Sequence, residues 1–295
     1  MLIMALDGNS LAYRAFYALP EDMANASGQV TNAVYGFTTM LLTLMRDHKP
    51  DGVVVVFDRP EPTFRHDAIP EYKAQREKAP DMLIQQLGMI RELLDVLGVV
   101  WWEKAGFEGD DLIATVAEHS EQAGHNLIVV TGDRDSYQLV RDPHIRVLYN
   151  KRGVSDYALY NEAGILERTG VTPAQYADYA ALRGDPSDNL AGIPGVGEKT
   201  AIQLMKDFGT IENLLENTDK LKGKLKEKVE ANKELALLSK KLATIIVDLD
   251  VEFNEEHLIM CDVDTEKVKD IFTELEFRNL ARRVIGEEIV VTASA

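Results

Sequence analysis

What this sequence lacks narrows its chemistry first. One cysteine, Cys261, among 295 residues excludes an internal disulfide framework and leaves too few thiolates for a structural zinc site, which points to a reducing compartment. The six histidines are scattered along the chain. No apolar run approaches the roughly 20 residues that span a bilayer. The opening Met1-Leu2-Ile3-Met4-Ala5-Leu6-Asp7 has no basic leader region and meets a charge too early for a signal peptide. These absences together predict a cytoplasmic protein with no membrane partner.

Positive charge is also scarce, with 32 Lys and Arg against 49 Asp and Glu and a net charge of -17. Such a balance argues against a nucleic-acid partner, because phosphate binding rests on cationic patches that release counterions. The distribution argues the other way. From Lys220 to Lys241 eight lysines, among them Lys222, Lys224 and Lys226, stand against three glutamates. That stretch is either a solvated helix surface or a phosphate-binding strip.

What is present is a core-forming pattern, with 45% hydrophobic residues and a length that suits one large domain or two modest ones. Short apolar, β-branched runs at Leu2 to Leu6, Val53 to Phe57, Val99 to Trp102, Leu127 to Val130 and Ile145 to Tyr149 predict strands. Segments with helical spacing lie between them, at Val34 to Met45, Met82 to Leu97 and Asp111 to Glu118. The alternation predicts an α/β fold: a mainly parallel twisted sheet flanked by helices on both faces. Beyond about residue 172 the segments are mostly helical, followed by a strand-like Thr244 to Val247 and a helical Thr265 to Leu275. Residues 59–80, rich in proline, basic and aromatic residues, are too long for an ordinary strand-to-helix connection.

Acids recur where those strands end. Asp7 follows Leu6, Asp58 follows Phe57, and Asp133 and Asp135 follow Thr131. In an open parallel sheet these ends share the edge at which ligands bind. Glu108, Asp110 and Asp111 open the next helix, and Asp185 and Asp188 sit in a Gly-Asp-Pro-Ser-Asp-Asn turn. Each alone reads as a helix cap or turn residue. Gathered together they repel one another by roughly 4 kcal/mol per pair at 4 Å and an effective dielectric near 20, so a cation is required. An all-oxygen set suits Mg²⁺ or Mn²⁺, and two such ions can support in-line phosphodiester hydrolysis without a protein nucleophile. Further on, Gly192-Ile193-Pro194-Gly195-Val196-Gly197-Glu198-Lys199-Thr200-Ala201 reads as a glycine-rich turn feeding a helix, the pattern of a helix-hairpin-helix.

Taken in order, Leu6 to Arg14, Phe57-Asp58, Phe64-Arg65 with Tyr72-Lys73-Ala74-Gln75-Arg76, Phe107 to Asp111, Thr131 to Asp135 and Gly184 to Ala201 span nearly the whole chain. This set resembles the structure-specific 5′ nuclease (flap endonuclease) family, and most closely the 5′ to 3′ exonuclease domain of bacterial DNA polymerase I. The resemblance implies a PIN-like nuclease core over 1–171 with a helical arch at about 59–80. It also implies a helix-hairpin-helix (H2TH-like) DNA-binding subdomain over 172–295, whose C-terminal helices pack on the core. It implies cleavage of 5′ flaps, nicks and 5′ ends of branched duplex DNA, RNA-primed DNA included, by a monomer in the bacterial cytoplasm. The setting is either free-standing or the front of a longer chain with a polymerase region, a choice the Val290 to Ala295 end leaves open.

By similarity, Asp58, Glu108 and Asp110 would hold one metal, with Asp7 reaching it through water, and Asp133, Asp135 and Asp188 a second, with Asp110 between them. Asp111 and Asp185 would be outer or accessory ligands. Lys73 and Arg76, three apart on a short arch helix, would face the scissile phosphate as catalytic cations. Arg14, Arg65, Tyr72, Gly195, Gly197, Lys199, Thr200, Lys222, Lys224 and Lys226 would contact DNA. The hairpin loop would hold K⁺. Two departures from the family pattern are visible: Gly109 stands where many members have Ala, and Ala191 where Pro is frequent.

Two other readings compete. Asp133-Arg134-Asp135-Ser136 also fits a phosphatase that forms an aspartyl-phosphate, although that signature follows a first strand and here it follows a later one. A non-catalytic DNA-binding module would explain the hairpin but not the acids.

Overall fold

The computed structural model describes residues 1–259 and 263–286; Cys261 and the Val290 to Ala295 end lie outside them. Six strands, β1 (Leu2–Asp7), β2 (Gly52–Val56), β3 (Val100–Trp102), β4 (Asn126–Thr131), β5 (Ile145–Arg152) and β6 (Asp156–Tyr160), form one sheet in the order β3-β2-β1-β4-β5-β6. The first five are parallel. Register is set by pairs such as Asp7 with Val56 and Leu6 with Val130. β6 was not expected from the sequence. It pairs antiparallel with β5, Val147 opposite Tyr160, through a hairpin whose half-exposed edge strand lacks the apolar run of a central strand.

Both faces of the sheet are covered, and successive residues go to opposite sides, as a strand's period of two requires. Ile3, Ala5, Val54, Val56, Leu127 and Val129 pack beneath α5 (Gly109–Gln122) and the helices that follow the sheet. Met4, Leu6, Val53, Val55, Ile128 and Val130 face α1 (Gly8–Ala18), α2 (Asn32–His48) and α4 (Asp81–Val96). Burial on both sides explains why the strands read as continuous apolar runs. α3 (Phe64–Ala68) lies in the long connection after β2, and α6 (Glu162–Thr169) follows β6.

The chain then builds a helical subdomain from α7 (Tyr176–Arg183), α8 (Glu198–Phe208), α9 (Ile211–Glu216), α10 (Gly223–Ala231) and α11 (Lys233–Ala243). The strand expected at Thr244 to Val247 does not form. Those residues run as an extended strap across α5, where side chains take the place of a strand partner: Asp111 accepts from Ile246 N–H at 2.9 Å and Thr115 Oγ1 from Leu249 N–H at 3.2 Å. The strap leads to α12 (Thr265–Glu274) and α13 (Arg278–Ile285); Val268, Phe272 and Leu280 of these helices, with Phe277 between them, join the core under α2 and α4. Among the described residues no helix is long and apolar enough to cross a membrane.

Candidate active site

The strand order reverses between β1 and β4, because β1 is followed by β2 on one side while β4 lies on the other. That switch point opens a crevice at the carboxyl edge. Strands adjacent at about 4.8 Å place their terminal acids side by side. Asp7 ends β1 and caps α1, its Oδ1 accepting from Ser10 N–H at 2.9 Å and its Oδ2 from Thr131 Oγ1 at 2.7 Å. Asp58 leaves β2, and its Oδ1 accepts from Gly109 N–H at 2.6 Å. Asp133 accepts from Asp135 N–H at 3.0 Å, which turns the chain after β4 so that both acids face the crevice. Glu108 caps α5, with Asp110 in the first turn.

The crevice, about 1170 Å³, is lined by Asp7, Asp58, Glu108, Asp110, Asp133, Asp135 and Asp185. Crowding shows in their acidity. Burial, reinforced by Asp58, raises Asp7 to about 7. Asp110 is held well above the usual carboxylate range by burial and then by Asp133, Asp7 and Asp58, and Asp135 by burial and then by Asp133. Asp110 Oδ1 is buried with no hydrogen-bond partner. Among the described residues no three acids are already drawn into a closed metal cage. An all-oxygen set of acids in an open cleft, with one carboxylate oxygen unsatisfied, nevertheless fits a hard divalent cation.

Cations of the chain already face these acids. The connection of residues 59–80 folds down so that Lys73 Nζ lies 2.7 Å from Glu108 Oε1, and Arg76 Nη2 lies 2.6 Å from Asp188 Oδ1. The expected helix through both does not form. α3 stops at Ala68, and residues 70–76 are turns with Lys73 at φ +55° and Arg76 N–H bonded back to Lys73 O at 3.0 Å. The turn is held from outside, by Lys73 N–H on Asp188 O at 3.0 Å and Asn189 Nδ2 on Glu71 O at 2.8 Å. Asp185 sits in an Asx turn, its Oδ1 accepting from the N–H and hydroxyl of Ser187.

Three expected roles change with burial. Arg65, expected on DNA, is 2% exposed, and its guanidinium grips Asp111 through Nη1–Oδ2 at 2.7 Å and Nη2–Oδ1 at 2.8 Å. Asp111, expected as an accessory ligand, is fully buried and also accepts from the N–H groups of Glu108 and Ile246, so its oxygens are filled. Tyr72, likewise expected on DNA, is 2% exposed; its hydroxyl lies 2.8 Å from Asp188 Oδ2 and 3.2 Å from Glu108 Oε2, and burial beside those acids pushes its pKa up. Arg14 does line the crevice.

The hairpin departs in one respect. Gly195 holds φ +78°, and a Cβ there would run into the Lys228 ammonium, whereas Gly197 has φ -91°, caps α8 and has open space around it. Only the first needs glycine. Lys199, Lys222 and Lys224 are exposed, and Thr200 and Lys226 half-buried, on the helical subdomain. Of the two departures from the family pattern, Gly109 has a local reason: a Cβ there would stand 3.2 Å from Asp58 Oδ1, closer than most side chains approach.

Sequence reading missed the residues that steer the acids. Thr131 donates to Asp7 and accepts from Asp133 N–H, Ser10 Oγ accepts from Gly132 N–H, and Asn9 Oδ1 accepts from Asp58 N–H. Their adjacency to Asp7 and Asp133 was the available signal. Tyr13 and Tyr17, one helical turn apart on α1, and Arg152 and Arg183 also line the crevice.

A parallel sheet whose switch-point edge carries clustered carboxylates, faced by cations from an overhanging connection, is a site suited to metal-dependent chemistry on phosphate esters. The family described as "5'-3' exonuclease, N-terminal resolvase-like domain" matches residues 2–170, and "5'-3' exonuclease, C-terminal SAM fold" matches residues 171–266. The chain belongs to the 5′–3′ exonuclease family. It is 44% identical over 283 residues to the DNA polymerase I of Mycobacterium bovis, covering 96% of this chain and 31% of that one. To the DNA polymerase I of Bacillus subtilis it is 44% identical over 287 residues, 97% of this chain and 32% of that one. The chain thus spans about a third of the length of these curated relatives. Its fold is similar to the bacteriophage T5 D15 flap endonuclease solved in a complex with DNA and metal ions, with a TM-score of 0.69 at 21% identity, covering 94% of this chain and 100% of that one.

Proposed function

We propose that this chain hydrolyses phosphodiesters at 5′ flaps, nicks and 5′ ends of branched duplex DNA, RNA-primed strands included, as in primer removal and repair. The observation that carries the reading is the gathering of Asp7, Asp58, Asp110, Asp133 and Asp135 in one crevice, with Asp110 Oδ1 unpartnered and Lys73 and Arg76 lining the same space. Asp58, Glu108 and Asp110, with Asp7, would hold one Mg²⁺ or Mn²⁺ ion, and Asp133, Asp135 and Asp188, with Asp185 nearby, a second. Such ions, when bound, supply the charge that stabilises attacking and leaving oxygens.

The chain's own residues do the rest. Lys73 and Arg76 present cationic donors to the phosphate on the crevice floor, with Arg14 on the adjoining wall. The Gly195 loop, the N-terminus of α8 with Lys199 and Thr200, and Lys222, Lys224 and Lys226 at the start of α10 hold duplex backbone away from the chemistry. The same reading puts a K⁺ ion on the carbonyls of the hairpin loop. It also has the chain act as a monomer in the bacterial cytoplasm. The length of its relatives supports a setting at the front of a polymerase-containing chain.

Incubation with a 5′-labelled flap duplex and Mg²⁺, against a chelator, tests the proposal. Metal-dependent release of oligonucleotide is the expected result. Binding without release would favour a DNA-binding module, and covalent phosphate trapped on Asp133 a phosphatase.

A further inference from the structure

Arg65 joins three segments that lie far apart in the sequence. It belongs to α3, at the root of the overhanging connection. Besides Asp111 on α5, its Nε donates to Leu242 O at 3.0 Å and its Nη2 to Thr244 O at 3.2 Å, where α11 runs out into the strap. Asp111 in turn accepts from the N–H of Glu108 at 3.1 Å and of Ile246 at 2.9 Å. Arg65 Nη1 also lies 3.6 Å from Glu108 Oε2. This pair therefore holds the backbone N–H of the acid that caps α5 and sets a positive charge beside its carboxylate, whose direct hydrogen bonds come from Lys73 and Tyr72 of the overhanging connection.

The other end of the pair is anchored in the helical subdomain. A guanidinium on the last carbonyls of α11 caps a helix C-terminus, where the helix dipole favours positive charge. α11 is itself tied inward. Ser239 Oγ donates to Ala191 O at 2.7 Å, in the turn before the hairpin, and Lys240 Nζ bridges Asp178 at 2.8 Å and Glu212 at 2.7 Å. Any shift of this subdomain on a duplex moves the carbonyls that hold Arg65. Buried ion pairs add little net stability over apolar residues of the same size, and their best-attested use is to fix registry.

We infer that Arg65 and Asp111 are positioning residues that couple the seat of α11 to the placement of Glu108 and of the Lys73 connection, so that gripping duplex DNA aligns the cleavage site. The inference rests on the nuclease reading above and goes beyond it, because both residues are buried and their polar atoms are taken up by protein partners. Coupling gives a flap anchored in duplex an advantage that the same strand lacks when free.

The test compares single-turnover cleavage of a 5′-flap duplex with that of the unpaired flap strand, for wild type, Arg65→Lys and Asp111→Asn. The expected result is a loss of about tenfold or more in the flap-to-single-strand rate ratio, in line with residues that orient ligands from behind, with duplex affinity in Ca²⁺ unchanged. Equal losses on both substrates would overturn the coupling and leave a purely structural pair. A second measurement needs no variant: adding blunt duplex without a flap to the wild-type protein should slow hydrogen exchange at the Glu108 and Ile246 amides, with core-strand amides unchanged. Unaltered exchange at both would overturn the inference. If wild type releases no oligonucleotide from the flap duplex, the nuclease reading fails instead, and the exchange experiment still reports on the coupling.

Discussion

The ammonium of Lys73 lies 2.7 Å from Glu108 Oε1 and 3.8 Å from Asp188 Oδ2, so one cation bridges an acid of the nuclease core and an acid of the turn that precedes the hairpin. Its side chain is only 19% exposed, and its backbone, at φ +55°, is held in a conformation that few non-glycine residues adopt. A charge placed this way can strengthen its hold as negative charge builds on a phosphoryl group. Lys73→Ala is expected to slow single-turnover flap cleavage by roughly 10² to 10³, about 3 to 4 kcal/mol, with little change in substrate affinity. A loss under about threefold would leave Lys73 as a neutralising charge only.

Divalent ions should stabilise the protein, because they relieve the repulsion that raises Asp7, Asp110 and Asp135. Binding to the native state alone adds about 2.7 kcal/mol at a hundredfold excess over Kd. Thermal melts with Mg²⁺ or Mn²⁺ against a chelator read this directly. Asp58→Ala or Asp133→Ala should reduce the increment and abolish cleavage while the duplex still binds. A Tm that ignores saturating metal would argue against the site.

Removing one member of the Arg65–Asp111 pair strands a buried charge. Arg65→Ala leaves Asp111, fully buried, with two backbone N–H groups as its remaining partners. Losses of about 3 to 5 kcal/mol are usual when one partner of a buried pair is removed. Urea unfolding followed by circular dichroism should show the midpoint fall accordingly, and an unchanged midpoint would mean that water reaches the pair.

Duplex binding is expected to reside in the helical subdomain. Neutralising Lys222, Lys224 and Lys226 together should flatten the salt dependence of duplex affinity by roughly 0.9 in log–log slope for each DNA phosphate that the variant no longer neutralises. In the same assay Gly195→Ala, forced to hold φ +78°, should weaken binding and cost about 1 to 2 kcal/mol of stability. Gly197→Ser should be neutral or mildly stabilising, since Gly197 is a helix cap with open space around it. Equal effects at both glycines would show that the loop, rather than its one left-handed residue, sets the turn.

The parallel sheet and the edge on which the acids gather were legible in the sequence by itself. Strands buried on both faces must be apolar throughout, and acids that follow such runs in parallel strands have only one edge to occupy. That logic located β1 to β5 and put Asp7, Asp58, Asp133 and Asp135 in one crevice. Periodicity is a local property, however, and it gave no sign of β6, which exists because β5 offers an edge. Nor could it tell Arg65 from Arg76. Both are arginines of the same connection, yet one reaches 46 residues onward to a buried carboxylate while the other lies half out of the crevice on Asp188. Tertiary structure alone decided that difference, because the partners of Arg65 come from α5 and from the strap after α11, and only packing them together removes the water that would otherwise solvate the charge.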